Sequence, residues 1–375
     1  MRSVVPWLNK SCYLEPLSPA CRMCAKGSKL VLLVTGQCPI SCFYCPISFA
    51  KGGTDRIFAD EWGLDDEGDV EKILQEARFI DAEGAGITGG DPLVVWQRVH
   101  SYISLLKDTF GPSFHLHLYT SGVKNTEHVP DLVAAGLDEI RFHPPSSQWK
   151  TMENSPLAKG ILTALQTSAD VALEIPAIPG LIEEMCSLIR WADSVGLNWI
   201  NLNELEFSER NAEQLQRQGF DVKNDISAAV KGSKETAIKV LNQIREEDLA
   251  IGVHYCSSSF KDGIQLKNRI TRRAHHVARP YEVITEEGTL LKGIVESKDL
   301  TPAQLLVYLQ NTYQIAPDDI HLNKEKDRVE MDVLLLDDIA RKETTYQLSC
   351  YLIEEYPTAD RLEVERTPLP LSDDT

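Results

Sequence analysis

The sequence predicts an α/β protein: a large parallel sheet with helices packed on it, followed by a small α+β domain. Three observations lead there. From residue 28 to about 255, short apolar runs alternate with amphipathic stretches roughly six times. The connections between apolar runs are too long for hairpins, so parallel strands joined by helices are the economical arrangement. After Pro280 the pattern changes to two short strands, a helix near 302–313 and later strands. The expected organisation is an N-terminal cysteine-bearing segment (1–27), the large α/β domain (28–279) and the small α+β domain (280–375). A doubly wound sheet and a barrel both fit the alternation.

The elements follow in order. "KLVLLVTG" is apolar throughout and ends in Gly36, as a strand buried on both faces would. In "DVEKILQEARFIDAEG", Val70, Ile73, Leu74, Ala77 and Ile80 share one helical face, and Asp69 is placed to cap it. "AGITGG" is the second strand and "WQRVHSYISLLKDTF" the helix after it. "FHLHLYTSG" is the third strand, followed by the short helix "VPDLVAAG", which Gly136 stops. "DEIRFHPP", "DVALEIPAIPG" and "NWINLNELEF" supply strands four to six, with the helix "LIEEMCSLIRWADSVG" between the last two. Residues 207–248 are more polar and helical, and "AIGVHYC" offers one more strand. The small domain reads as strands "YEVITEEG" and "TLLKGIVE", a helix near 302–313, and strands "RVEMDVLLL" and "RLEVERTPL". "YQLSCYLIEE" reads as helix, and the final "SDDT" as a frayed tail.

The bulk numbers narrow the function classes. The chain has 375 residues, 43% of them hydrophobic, enough to bury a substantial core. A formal charge of −18 opposes non-specific binding to nucleic acid or anionic membrane. No apolar run approaches a membrane span, and the start lacks the apolar core of a signal peptide, so a cytoplasmic protein is expected. Of nine cysteines, six lie between Cys12 and Cys45. Crowding of that kind favours metal or redox chemistry over a disulfide scaffold.

Cys38, Cys42 and Cys45 form C-x3-C-x2-C in the loop after the first strand, at the carboxyl end where parallel α/β folds place their active sites. Three thiolates can hold three irons of a cubane and leave the fourth without a protein ligand. The plainer alternative is a structural zinc completed by a remote ligand. The spacing, with Tyr44 just before the last cysteine, resembles the signature of the radical S-adenosylmethionine (SAM) superfamily. Within it the pattern is most similar to archaeal proteins related to the glycyl-radical (pyruvate formate-lyase) activating enzymes.

The resemblance covers about residues 28–255 and implies a partial (β/α)6-type barrel. It implies a 4Fe–4S cluster on Cys38, Cys42 and Cys45, whose open iron chelates SAM, and reductive cleavage of SAM to a 5′-deoxyadenosyl radical. That radical abstracts hydrogen from a substrate, which the sequence leaves open among protein, modified nucleoside and lipid. The electron comes from a reductant such as ferredoxin or flavodoxin. By the same resemblance Tyr44 lies beside the adenine, contacting it partly through backbone.

"GITGGDPL" is the second signal. Gly89 and Gly90 close strand two, where missing Cβ atoms let backbone approach a ligand. The family carries Gly-Gly-Glu there to receive the SAM amino group, whereas this chain has the shorter Asp91. Polar residues on the other strands are further candidates: Thr120 and Ser121 to hydrogen-bond SAM, Arg141 and His143 on one face of strand four, and Asn203 and Glu204 on strand six. His115, His117 and Tyr119 share a face and read as hydrogen-bonded core residues.

Cys12, Cys21 and Cys24 precede the sheet, and Cys256 follows the last strand in a polar segment. Together they make a candidate four-thiolate site for a second iron–sulfur cluster or zinc, with His254 as a substitute ligand. Cys186 and Cys350 read as packing residues. "KNRITRRAHHVAR" is basic, and a solvated helix paired with the abundant acids is the favoured reading over an anion site. The competing function is an iron–sulfur electron carrier or metal sensor without SAM chemistry.

Overall fold

The computed structural model describes residues 2–224, 227–342 and 345–369. The chain divides into two compact units, residues 1–266 and 267–375. The division precedes the 279 expected from the sequence, because the helix Lys267–Val277 groups with the second unit. The expected frayed tail lies outside the described residues.

The first unit is built on β1 (Cys12–Leu14), α1 (Pro19–Lys26), β2 (Lys29–Leu33), α2 (Val70–Phe79), β3 (Gly84–Thr88), α3 (Trp96–Phe110), β4 (His115–Thr120), α4 (Val129–Ala134), β5 (Glu139–Phe142), α5 (Pro156–Ala164), β6 (Asp170–Ala177), α6 (Ile182–Val195), β7 (Trp199–Glu204), α7 (Ser233–Ile244) and β8 (Gly252–Cys256). Local chemistry explains several ends. Ser18 caps α1 through a hydrogen bond from Ala20 N, Pro19 occupies the first helical position, and left-handed Gly27 closes it. Asp69 stands at the start of α2 but makes no side-chain cap bond; its carboxylate instead meets Lys72 Nζ at 2.7 Å.

Strands β2 to β8 are parallel and lie side by side in chain order. A doubly wound sheet needs a reversal of strand order. None occurs here, so right-handed crossovers leave every connecting helix on the same face. The side-chain alternation agrees. Leu30 and Leu32, Leu116 and Leu118, Ile140 and Phe142, Leu173 and Ile175, and Ile200 and Leu202 enter the main hydrophobic core. Their neighbours point the other way: His117 and Tyr119, Glu139 and Arg141, Glu174, Asn201 and Asn203.

That second face is polar, and α1 covers part of it: Ser18 Oγ donates to Glu139 Oε2 at 2.8 Å and receives Arg141 Nη2 at 3.0 Å. At one edge β1 pairs antiparallel with β8; at the other, a hairpin of Phe58–Ala59 and Trp62–Gly63 flanks β2.

The second unit carries α8 (Lys267–Val277), β9 (Leu290–Ser297), α9 (Pro302–Tyr313), β10 (Ile320–Asn323), β11 (Arg328–Met331), α10 (Val333–Lys342), β12 (Leu348–Glu355) and β13 (Glu363–Leu369). Its sheet is antiparallel in the order β10-β11-β9-β12-β13. A capping box of Thr301 and Gln304 starts α9. Two expectations are corrected. "SCYLIEE" is strand, with Cys350 buried in it, because the run sits in the middle of the sheet and pairs on both sides. "VLLL" begins α10 and does not extend β11, since the ladder stops at Met331.

Candidate active site

The loop after β2 carries the three clustered cysteines. Its path is fixed at Gly36, whose N–H donates to Thr54 O and whose carbonyl receives Gly53 N, each at 2.8 Å. A Cβ there would fall 1.7 Å from Lys51 O. A turn closed by Cys45 N and Cys42 O (3.1 Å) brings the last two cysteines together. Cys38 is exposed, Cys42 and Cys45 are half-buried, and all three are free thiols. Loss of water around the sulfur, with Asp91 and the other two thiols adding, pushes Cys38 up to about 11.

Gly89 and Gly90 end β3 against this loop. Gly90 N donates to Thr35 O (2.8 Å) and Asp91 N to Gln37 O (2.7 Å). A Cβ would fall 2.1 Å from Thr35 O at Gly89 and 2.2 Å from Gln37 O at Gly90, and Gly89 has φ of 148°. Here the backbone that approaches the glycines is the chain's own, on the way to the cysteines.

Asp91 is fully buried and occupied. Its Oδ1 accepts from Leu93 N and Thr120 Oγ1, and its Oδ2 from Ser121 N and Ser121 Oγ. Asp91, Thr120 and Ser121, expected to reach a cofactor through their side chains, are bonded to one another in this structure. Four donors saturate a carboxylate, so the three residues tie the ends of β3 and β4 together.

Tyr44 is buried, with its hydroxyl 3.0 Å from His143 Nε2. His143 Nδ1 lies 2.6 Å from Glu174 O, so Nδ1 carries the proton and Nε2 accepts from the phenol. Burial keeps this imidazole below its usual range and neutral. Tyr44 O accepts from Asn211 Nδ2 at 3.1 Å, and the same amide donates to Glu206 O at 3.0 Å. Asn211 was not foreseen. Its only signal is its place just before the helix Ala212–Arg217, which suggests a cap, yet it makes no side-chain cap bond and fastens the cysteine loop instead.

On the polar face Arg141 is buried between two carboxylates, with Nε 2.5 Å from Glu139 Oε1 and Nη1 2.7 Å from Glu174 Oε2. Burial works against ionised Glu139, yet the Arg141 field holds its carboxyl below the ordinary value. Glu174 also accepts from Asn201 (3.0 Å) and Asn203 (2.8 Å). Arg141 and Asn203 are thus engaged within the protein. Glu204 faces the opposite side of β7, where its Oε2 accepts Ser258 N at 2.9 Å.

The second cysteine set is divided by the sheet. Cys12 stands opposite Tyr255 in the β1–β8 ladder, and both enter the core on the helix side. Cys256, one residue on, points to the polar face. Cys21 Sγ meets Arg141 Nη2 and Asn201 Nδ2, each at 3.5 Å. Burial raises the thiols of Cys21, Cys24 and Cys256, Cys24 to about 12; the field of Cys21 reaches Cys24, and those of Cys21 and Cys24 reach Cys256. This removes Cys12 from the expected four-thiolate set. Among the described residues no three His, Cys, Asp or Glu side chains stand as a ready metal-holding group. His254 Nδ1 lies 3.2 Å from Asn201 Oδ1.

Known proteins bear on this geometry. Residues 32–154 match the radical SAM superfamily, and residues 288–369 match a domain of unknown function (DUF8061). A Methanocaldococcus jannaschii protein, named as a candidate glycyl-radical enzyme activating enzyme, is 39% identical over 368 residues, 95% of this chain and 93% of its own. Among solved structures, Streptococcus suis SuiB bound to S-adenosylmethionine aligns over 62% of this chain and 50% of its own, at 10% identity and TM-score 0.42. The methyltransferase TsrM from Kitasatospora setae, with cobalamin and a [4Fe-4S] cluster, aligns over 70% and 56%, at 12% identity and TM-score 0.37. The chain spans about half the length of these solved structures. No helix among the described residues is long and apolar enough to cross a membrane.

Proposed function

The chain belongs to the radical SAM superfamily as an enzyme of the activating-enzyme type, and from that premise we propose that it generates a substrate radical at the mouth of the parallel sheet. Cys38, Cys42 and Cys45 would hold a 4Fe–4S cluster; the donor set fits, since three free thiols lie in one short loop with no fourth cysteine beside them. When bound and reduced by a ferredoxin- or flavodoxin-like donor, the cluster with SAM supplies a 5′-deoxyadenosyl radical that removes hydrogen from the substrate. In the finer fold reading, the singly wound sheet curls its polar face into a partial barrel.

The chain's own residues do the positioning. Gly89 and Gly90 seat the strand entering the cysteine loop, and Asn211 and His143 hold Tyr44 from either end. The Arg141–Glu174–Asn203 array presents fixed polar groups on the enclosed side of the sheet, already ion-paired and needing little rearrangement. The name of the 39% identical relative supports a protein substrate, activated at a glycine. A second metal at Cys21, Cys24 and Cys256 is the weaker extension, because it requires three thiols whose ionisation desolvation opposes, two of them buried, to lose their protons.

The observation that carries the reading is the three-cysteine loop at the carboxyl end of β2, buttressed by the two glycines of β3. Anaerobic protein loaded with iron and sulfide should form 5′-deoxyadenosine from SAM and dithionite. Full product formation by Cys42→Ala would falsify it.

A further inference from the structure

The helix side of the sheet holds a cavity of about 390 Å³ beyond the carboxyl ends of β7 and β8, wholly within the first unit. Glu204, Tyr255 and Ser258 line it, and each is at most 5% exposed. Ser258 Oγ lacks a hydrogen bond, and the Tyr255 hydroxyl and the Glu204 carboxylate face each other with no further hydrogen-bond partner for Glu204 Oε1 or the phenol. The Lys223 ammonium lies 3.5 Å from Glu204 Oε1. Buried polar groups with hydrogen-bonding capacity left open cost stability, and these three around one cavity call for an occupant. Burial first, then Glu204, raises the Tyr255 phenol, so this hydroxyl stays protonated and able to donate.

Charge describes the other end of that occupant. Lys10, Lys223 and Lys234 line the cavity with Glu204, Glu206 and Asp262. Glu206 is neutralised by Lys261 at 2.5 Å, which leaves three cations against two acids in a chain of formal charge −18. Lys10 and Lys234 have no ion pair among the described residues. An ammonium ligand would satisfy only the carboxylate and would meet Lys223. A hydroxyl satisfies the whole floor, because it donates to Glu204 while accepting from Tyr255 or Ser258.

We propose that this cavity binds a small hydroxylated anion, a polyol phosphate or sugar phosphate, with its hydroxyls on Glu204, Tyr255 and Ser258 and its anionic group toward Lys10 and Lys234. The volume suits roughly three to six carbons. The site is independent of the radical chemistry and can stand if that reading fails.

Calorimetric titration of the full chain with glycerol 3-phosphate, inorganic phosphate and glycerol tests it. Glycerol 3-phosphate should bind at least about tenfold tighter than phosphate, with glycerol alone giving no heat. Ser258→Ala and Tyr255→Phe should each bring glycerol 3-phosphate toward the affinity of phosphate, and Lys234→Ala should weaken both anions. Circular dichroism of each variant guards against misfolding, and half-buried Lys234 provides a readout outside the core. Equal binding of phosphate and glycerol 3-phosphate (an adventitious ion only), binding unmoved by all three substitutions, or no binding at all overturns the proposal.

Discussion

The two cysteine groups of the first unit are assembled in opposite ways. Cys38, Cys42 and Cys45 come from one loop, and their closeness is written in eight consecutive residues. Cys21, Cys24 and Cys256 come from a helix and the last strand of the sheet, and the pairing of β1 with β8 brings their segments to the same edge. The loop thiols reach water; Cys21 and Cys256 are buried, and Cys21 already has hydrogen-bond partners. A metal must displace protons that desolvation holds on Cys38 and Cys42 as well as on Cys21, Cys24 and Cys256. At the loop it arrives from water, whereas at Cys21 and Cys256 it must enter the interior. Similar residues in similar number therefore differ in readiness.

The sharpest way to break that contrast is paired substitution. Cys42→Ala should lower 5′-deoxyadenosine formation by about 100-fold or more, while Cys24→Ala stays within the same order of magnitude as the parent. Equal loss in both, measured by chromatography after anaerobic loading, would erase the distinction. Next in size is Arg141→Met, which strands Glu139 and Glu174 beside Cys21. About 3–5 kcal/mol of stability should disappear in urea titration, and an unchanged midpoint would mean the interior is wetter than its burial indicates.

Asp91→Asn probes the boundary between the loop and its support. Replacing an acceptor of four hydrogen bonds should cost about 1–3 kcal/mol, with the KM for SAM unmoved. A tenfold rise in that KM would return Asp91 to the cofactor-binding role that the sequence suggested.

The smallest effect is a pH slope. Burial, opposed by Cys24 and Glu139, lowers Lys29 from its ordinary 10.5 to about 7, and its Nζ lies 2.9 Å from His115 Nδ1. Between those values the unfolded chain binds a proton that the folded one does not. Through this residue stability therefore rises with pH from about 7 to about 10.5, and the penalty is full below 7. Lys29→Met should gain in Tm over the parent most at pH 7 and progressively less toward pH 10. A constant difference across that range would show that Lys29 stays charged.

What the sequence revealed follows the range of each interaction. Strand and helix periods, the cysteine loop and the glycine pair are local patterns, and all seven parallel strands lie where the apolar runs suggested. Strand faces are local too, which is why Arg141 and His143 were legible as a pair. Occupancy is not. Nothing near Asp91 announces that Thr120 and Ser121 will consume it, and nothing near Asn211 announces a bond to Tyr44. Cys12 was misassigned for the same reason, since the side of the sheet it faces is set by its register with Tyr255.

The placement of β1 also sets a timetable. A ribosome delivers β2 to β8 in the order in which they join, so each new strand finds its neighbour waiting. The exception is β1, which has only the two-residue strand Val5–Pro6 beside it until Gly252–Cys256 has emerged. Through that interval Cys21 and Cys24 lack part of their final cover, and a nascent chain stalled before β8 carries them open to oxidants.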